Sequence, residues 1–225
     1  MKIENLSIGY DSRKAVASAM NAELDPGDFI CLIGRNGSGK STLLKTLAGM
    51  QKAVAGKIML DGRELNDFST AELSHRISMV LTHVPELPNT TLRELVSYGR
   101  LPYSSWLGRL SDKDIEETDK AIALLHLETL AGRKITQLSD GEKQKAMIAR
   151  ALAQGTDIIL LDEPAAFLDY ESRIELMEML GKLAHDHNKA ILLSTHDREM
   201  AYRYTDIIWQ MKDGTMLIEK IHKSN

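Results

Sequence analysis

Gly34-Arg35-Asn36-Gly37-Ser38-Gly39-Lys40-Ser41 matches the pattern G-x-x-x-x-G-K-[ST], and it restricts the fold more than any other stretch of the chain. Its glycines let the backbone turn so that successive N–H groups point inward at phosphate oxygens. Such a loop works where a buried strand ends and a helix begins, because the helix must present its positive end to the same anion. Both neighbours are legible. Phe29-Ile30-Cys31-Leu32-Ile33 is a continuous apolar run, as a strand covered on both faces requires. Ser41 to Ala48 has helical character and stops near Gly49. The loop therefore implies an α/β protein that binds a nucleoside triphosphate. Gly34, Asn36, Gly37, Ser38, Gly39 and Thr42 are candidates for nucleotide contact. Lys40 is expected to reach the β- and γ-phosphates, and the Ser41 hydroxyl to bind Mg²⁺.

A second constellation ends another apolar run. Ile158-Ile159-Leu160-Leu161-Asp162-Glu163 reads as a buried strand followed by two acids. Beside a phosphate loop, Asp162 is placed to hold Mg²⁺, directly or through water. Glu163 then lies next to the γ-phosphate, where a carboxylate can polarise a water for in-line attack. The competing reading is a solvated strand end turning at Pro164.

Between these motifs the texture changes. Pro85 to Gln154 reads mostly helical, with segments at Thr91 to Tyr98, Asp112 to Leu127 and Asp140 to Gln154. Ile115, Ile122 and Leu125 recur at helical spacing, and Ser139 with Glu142 three residues on has the capping-box pattern. Strands are expected at Ile3 to Ile8, Ala15 to Ala22, Lys57 to Leu60, Ile77 to Leu81 and Ala190 to Ser194, an amphipathic helix at Glu171 to His187, and a closing hairpin at Asp206 to Ile221. The simplest architecture is an α/β sheet core interrupted by a helical insertion.

Composition excludes several classes. With 43% apolar and 27% charged residues the chain is a soluble globular protein rather than a disordered one. Lys plus Arg (28) against Asp plus Glu (32) gives a net charge of −4, which offers no argument for a nucleic-acid partner. The single cysteine, Cys31, rules out an intramolecular disulfide framework and reads as a buried, inert thiol. The N-terminal Met1-Lys2-Ile3-Glu4-Asn5 has no signal-peptide character, and runs such as Ile158 to Leu161 are too short to cross a bilayer. Any membrane spans are expected to come from another chain.

Leu138-Ser139-Asp140-Gly141-Glu142-Lys143-Gln144 carries a resemblance that extends over nearly the whole chain. It is similar to the signature motif, usually Leu-Ser-Gly-Gly-Gln, of the nucleotide-binding subunit of ABC transporters. The resemblance implies an α/β fold: a P-loop NTPase (RecA-like) core at about 1–84 and 155–225 with an antiparallel β subdomain, and an inserted helical subdomain at about 85–154. It implies ATP and Mg²⁺ as cofactors, and a head-to-tail homodimer. In that pair, Ser139 and the Gly141 N–H contact the γ-phosphate of ATP held by the second subunit's loop. Asp140 and Glu142 replace the family's glycine and glutamine, so Asp140 is expected to point away from ATP, failing which the interface is weakened. Tyr10 sits where a ring stacks on adenine, Leu168-Asp169 resembles the loop linking the two sites, and His196 matches the switch histidine that contacts the γ-phosphate. Their plain counterparts are a strand-end tyrosine, a helix-capping aspartate and a surface histidine. The family's Q-loop glutamine should fall in Val80-Leu81-Thr82-His83, where Thr82 is the nearest equivalent, able to bind a metal-bound water at shorter reach.

The segment Leu95 to Tyr103, with Trp106 and Gly108, resembles importers of ferric siderophores, haem or cobalamin. That implies integral membrane permease partners, an external substrate-binding protein, and a peripheral location on the cytoplasmic face of the inner membrane. Tyr103 and Trp106 have core packing of the helical subdomain as their alternative. The rival activities are a non-transport ABC ATPase acting on nucleic acid or the ribosome, and a P-loop kinase or GTPase. For the last, Asn188-Lys189-Ala190-Ile191 lacks the aspartate of a guanine-recognition motif.

Overall fold

The computed structural model describes residues 1–11, 14–82, 87–104 and 109–221. Two sheets organise it. The smaller is antiparallel and comprises β1 (Lys2–Asp11), β2 (Lys14–Glu23), β4 (Ala55–Leu60) and β5 (Arg63–Glu64), in the order β2-β1-β4-β5. The larger holds β3 (Phe29–Gly34), β6 (Ile77–Val80), β7 (Ile158–Leu161), β8 (Ala190–Thr195), β9 (Ile207–Lys212) and β10 (Thr215–Lys220). Its order is β10-β9-β3-β8-β7-β6, and every neighbouring pair is parallel except the closing hairpin β9–β10.

The apolar runs are continuous because the large sheet is buried on both faces. Ile30, Leu32, Leu160 and Leu192 share one core with Ile3, Leu6 and Ile8 of β1 and with Leu43, Leu44 and Leu47 of helix α1 (Lys40–Leu47). The alternate residues Cys31, Ile33, Ile159, Leu161, Ile191 and Leu193 belong to the other core. Met177, Leu180 and Ala184 of α6 (Tyr170–His187) close that second face. Cys31 is fully buried there, and desolvation pushes its thiol far above the ordinary range, so it is inert as expected.

The helical stretch contains α3 (Leu92–Ser97), α4 (Asp112–Leu124) and α5 (Asp140–Ala153), with both α3 and α4 packed on α5. Within α4, Ile122 is buried but Ile115 is 45% exposed, so the inward face is narrower than the periodicity suggests. Thr118, whose hydroxyl donates to the Asp114 carbonyl, fills the buried face instead. The carboxyl end of α5 is pinned to the sheet: Arg150 Nη2 donates to Met79 O at 3.1 Å, and Gln154 Nε2 to Ser74 O at 2.7 Å. Two short helices have no counterpart in the sequence expectations, α2 (Thr70–Ser74), which buries no side chain, and α7 (Arg198–Tyr204), which buries only Met200 and Ala201.

Candidate functional site

Parallel strands end on a common edge, and β3, β6, β7 and β8 deliver the candidate residues there. β3 runs into the glycine loop. Ser38 N donates to Arg35 O at 3.1 Å, and Gly37 and Gly39 take φ of +79° and +100°. A Cβ at Gly34 would fall 2.5 Å from Ser38 Oγ and 2.9 Å from Met211 O, so the loop closes where only glycine fits.

The start of α1 fits a phosphate. Ser69, Thr91, Ser111, Ser139, Asp169 and Asp197 each cap their helices, α2 through α7, by accepting a backbone N–H. At α1 the cap position is Gly39, with no side-chain hydrogen bond and no acid in the first turn. Its amino end keeps its positive dipole and its free donors. Ser38 Oγ is buried beside it without a hydrogen-bond partner. Lys40 is buried, donates from Nζ to Gly34 O at 2.9 Å, and stands 3.8 Å from Glu163 Oε1. Ser41 is exposed in the first turn, whereas Thr42 is buried and its carbonyl accepts from Thr46 Oγ1.

The two acids follow β7. Asp162 is buried; its N–H donates to Val80 O at 2.9 Å and its Oδ1 accepts from Ser194 Oγ at 2.8 Å. Glu163 takes a left-handed backbone, φ +51°, and its N–H donates to Ser194 Oγ at 2.9 Å. The carboxylate thereby sits between two cationic or proton-bearing groups, Lys40 on Oε1 and His196 Nδ1 at 2.9 Å from Oε2. Thr82 Oγ1 donates to the Asp162 carbonyl at 3.1 Å. Ser41, Asp162 and Thr82 make an oxygen-only donor set, the chemistry that Mg²⁺ takes together with substrate phosphates. His196 and the loop residues Gly34, Asn36 and Ser38 line one cavity of about 510 Å³.

Ser139, Gly141 and Asp169 make none of their hydrogen bonds to this group. Ser139 caps α5: its Oγ accepts from Glu142 N at 3.2 Å and donates to Glu142 Oε2 at 2.9 Å, and its N–H donates to the same oxygen at 2.7 Å. The Ser139 N–H, then its hydroxyl, hold the Glu142 carboxyl below the usual range. Asp140 points into solvent, 73% exposed and 3.0 Å from Lys143. A Cβ on Gly141 would meet Phe167 O at 3.1 Å, so α5 begins tightly against the loop before Asp169. Asp169 caps α6 through Ser172 N at 2.8 Å. Tyr10 is the penultimate residue of β1, but its side chain lies outside the described part, as do residues His83, Trp106 and Gly108. Tyr103 is partly exposed, with the Arg100 guanidinium 4.0 Å over its ring. Ser194 was not foreseen; its one signal was a polar residue following the apolar run Ala190–Leu193.

A family model described as ABC transporter matches residues 4–166. This chain belongs to the ABC transporter family. The cassette is 41% identical over 217 residues to an ABC transporter ATP-binding protein of Methanocaldococcus jannaschii, covering 96% of this chain and 74% of the relative. It is 37% identical over 220 residues to the iron(3+)-hydroxamate import ATP-binding protein of Bacillus subtilis, covering 97% and 81%. The ferric enterobactin transport ATP-binding protein of Escherichia coli is 33% identical, covering 96% and 79%. Among solved structures, a dimeric ABC transporter cassette superposes with a TM-score of 0.87 at 29% identity, over 99% of each chain. A dimeric cassette in a post-hydrolysis state with ADP and Pi gives 0.86 at 28%, also over 99% of each. The fold is that of a P-loop NTPase cassette, the activity is ATP hydrolysis, and the cofactors are ATP and Mg²⁺. Kinase and GTPase readings fall with that assignment.

Proposed function

We propose that two copies of this chain close head to tail on two ATP–Mg²⁺ and that their hydrolysis powers import of an iron–siderophore, haem or cobalamin complex through partner permeases. In this reading the chain is one nucleotide-binding domain, with residues of about 85–154 forming the helical part between core segments 1–84 and 155–225. The glycine loop, Gly34 with Asn36 to Gly39, wraps the phosphates with backbone N–H groups, and the open start of α1, with Thr42 behind it, faces them. Lys40 neutralises charge at the β- and γ-phosphates. Tyr10 stacks on the base. Ser41, Asp162 and Thr82 would hold Mg²⁺ through oxygen, and the ion would supply charge neutralisation at the phosphates. Ser139 and Gly141 contribute from the second copy, and Asp169 links the two sites.

Glu163 is the proposed base. The observation that carries this is its carboxylate held between Lys40 and His196, immediately after Asp162. Lys40 and His196 fix both oxygens, so the carboxylate orients a water for in-line attack and accepts its proton. His196 also presents its ring to the γ-phosphate side. Glu163→Gln should lower turnover by at least about 100-fold with ATP affinity kept; wild-type hydrolysis in that variant would remove the role.

The cargo class rests on two of the relatives named above, an iron(3+)-hydroxamate import protein and a ferric enterobactin transport protein, and on the Leu95–Tyr103 segment. The permeases supply the membrane spans, an external binding protein delivers cargo, and the cassette sits peripherally on the cytoplasmic face. No described helix is long and apolar enough to cross a membrane. Co-purification of a permease followed by uptake of a ferric siderophore tests this; co-purification with ribosomes or DNA would favour the non-transport alternative.

A further inference from the structure

We infer that Ser194 is a positioning residue for hydrolysis, its single hydroxyl fixing both the Asp162 carboxylate and the backbone that aims Glu163. The inference rests on the roles proposed above for those two acids.

The placement follows from register. β7 and β8 are parallel with Leu161 opposite Leu193, so Ser194 stands beside the first residue past β7, Asp162. Along β8, Ala190 and Leu192 face the α1 core while Ile191 and Leu193 face the other. By that alternation Ser194 is the third residue of the α1 side, the side on which the glycine loop enters its helix. It is fully buried. A buried serine usually satisfies itself on nearby backbone of its own segment. Here the hydroxyl reaches across strands, donating to Asp162 Oδ1 at 2.8 Å and accepting from Glu163 N–H at 2.9 Å.

The two contacts act on adjacent parts of one hinge. Glu163 N–H and the Asp162 carbonyl belong to the same peptide group, and Thr82 Oγ1 holds the carbonyl end at 3.1 Å. Hydroxyls from β8 and from the segment after β6 thus grip this peptide from both sides. The grip matters because Glu163 sits at φ +51°, a backbone region that non-glycine residues leave unless the surroundings hold them there. That backbone turn is what directs the side chain to Lys40 and His196. Meanwhile the Asp162 carboxylate has one oxygen held by Ser194, which restricts its rotation. Without the hydroxyl, Glu163 N–H loses its acceptor and the peptide is held from the Thr82 side alone.

Ser194→Ala tests this in two ways. In the nucleotide-free protein, NMR hydrogen exchange at the Glu163 amide should accelerate by about 10-fold or more, because its acceptor is gone. With ATP and Mg²⁺, kcat should fall by about 10- to 30-fold while ATP affinity stays within about 2-fold. A residue that merely supports the fold would lower stability and ATP affinity together. If Ser194→Ala does not fold, Ser194→Cys decides: it nearly keeps the volume, donates weakly, and should lose about 5-fold in kcat with ATP affinity unchanged. An unchanged kcat in the folded variant, alongside a dead Glu163→Gln made in parallel, overturns the positioning role and leaves the Glu163 role standing. Wild-type hydrolysis in Glu163→Gln would instead sink the underlying reading, whatever Ser194→Ala does.

Discussion

The amino ends of α1 and α5 are built in opposite ways. At α1 the cap residue is Gly39, which offers no side chain, and the first turn has no acid. At α5 the cap is Ser139, closed by a reciprocal box with Glu142 and followed by a second acid, Asp140. One end is left open for an anion; at the other, the Ser139 and Glu142 N–H groups are satisfied from within the chain. Where a hydroxyl is already spent in a capping box, it can meet a phosphate only by sharing or leaving that box. The Ser139 hydroxyl donates to Glu142 Oε2, and in the proposed closed pair it would have to turn toward phosphate. On that proposal Glu142, where the signature motif usually has glutamine, sets a cost of closure that α1 does not carry.

The largest effect should come from making α1 resemble α5. Gly39→Ser adds a capping hydroxyl at φ +100°, with its Cβ 3.0 Å from Val16 Cγ1. ATP affinity, measured by titration calorimetry, should drop by about 100-fold. Making α5 less closed comes next. Glu142→Gln keeps an acceptor for Ser139 but removes the charge, and ATP-driven dimerisation of a Glu163→Gln background should strengthen by about 3- to 10-fold in analytical ultracentrifugation. Glu142→Ala separates charge from capping: it too removes the charge, but should cost about 0.5–2 kcal/mol of stability by leaving the box half made. The smallest effect is on pH. Because Ser139 depresses the Glu142 carboxyl, its contribution to stability is complete above the unfolded carboxyl value and is lost as pH falls through the lower folded one. The stability gap between wild type and Glu142→Gln should thus be constant at neutral pH and change below about pH 4. A gap that moved only around neutrality would assign the charge effect to another group.

Sequence legibility followed the same division. The glycine loop, its strand and its helix are consecutive, so each constrains the next, and the acids after β7 are equally local. Capping at Ser139 and Asp169 could be read because the partner residue lies three positions on. Ser194 could not, since its partners are 32 and 31 positions away and meet it only through the β7–β8 register. The Lys40–Glu163–His196 grouping is likewise non-local, and only the resemblance brought His196 forward. α2 and α7 escaped notice because helices of five and seven residues bury too little to leave a periodic signal. Ile115 misled in the other direction, an apolar residue on the exposed side of α4.

Whether the open and the closed helix ends meet on one nucleotide is most directly settled by mixing two inactive variants, Lys40→Ala and Ser139→Ala. If each site combines the loop of one copy with the α5 start of the other, a mixed pair contains one intact site, and ATPase activity should rise above both parents with a maximum near equal proportions. Activity equal to the weighted sum of the two variants at every ratio, with mixed pairs shown to form, would place each site within a single copy and contradict the shared-site reading.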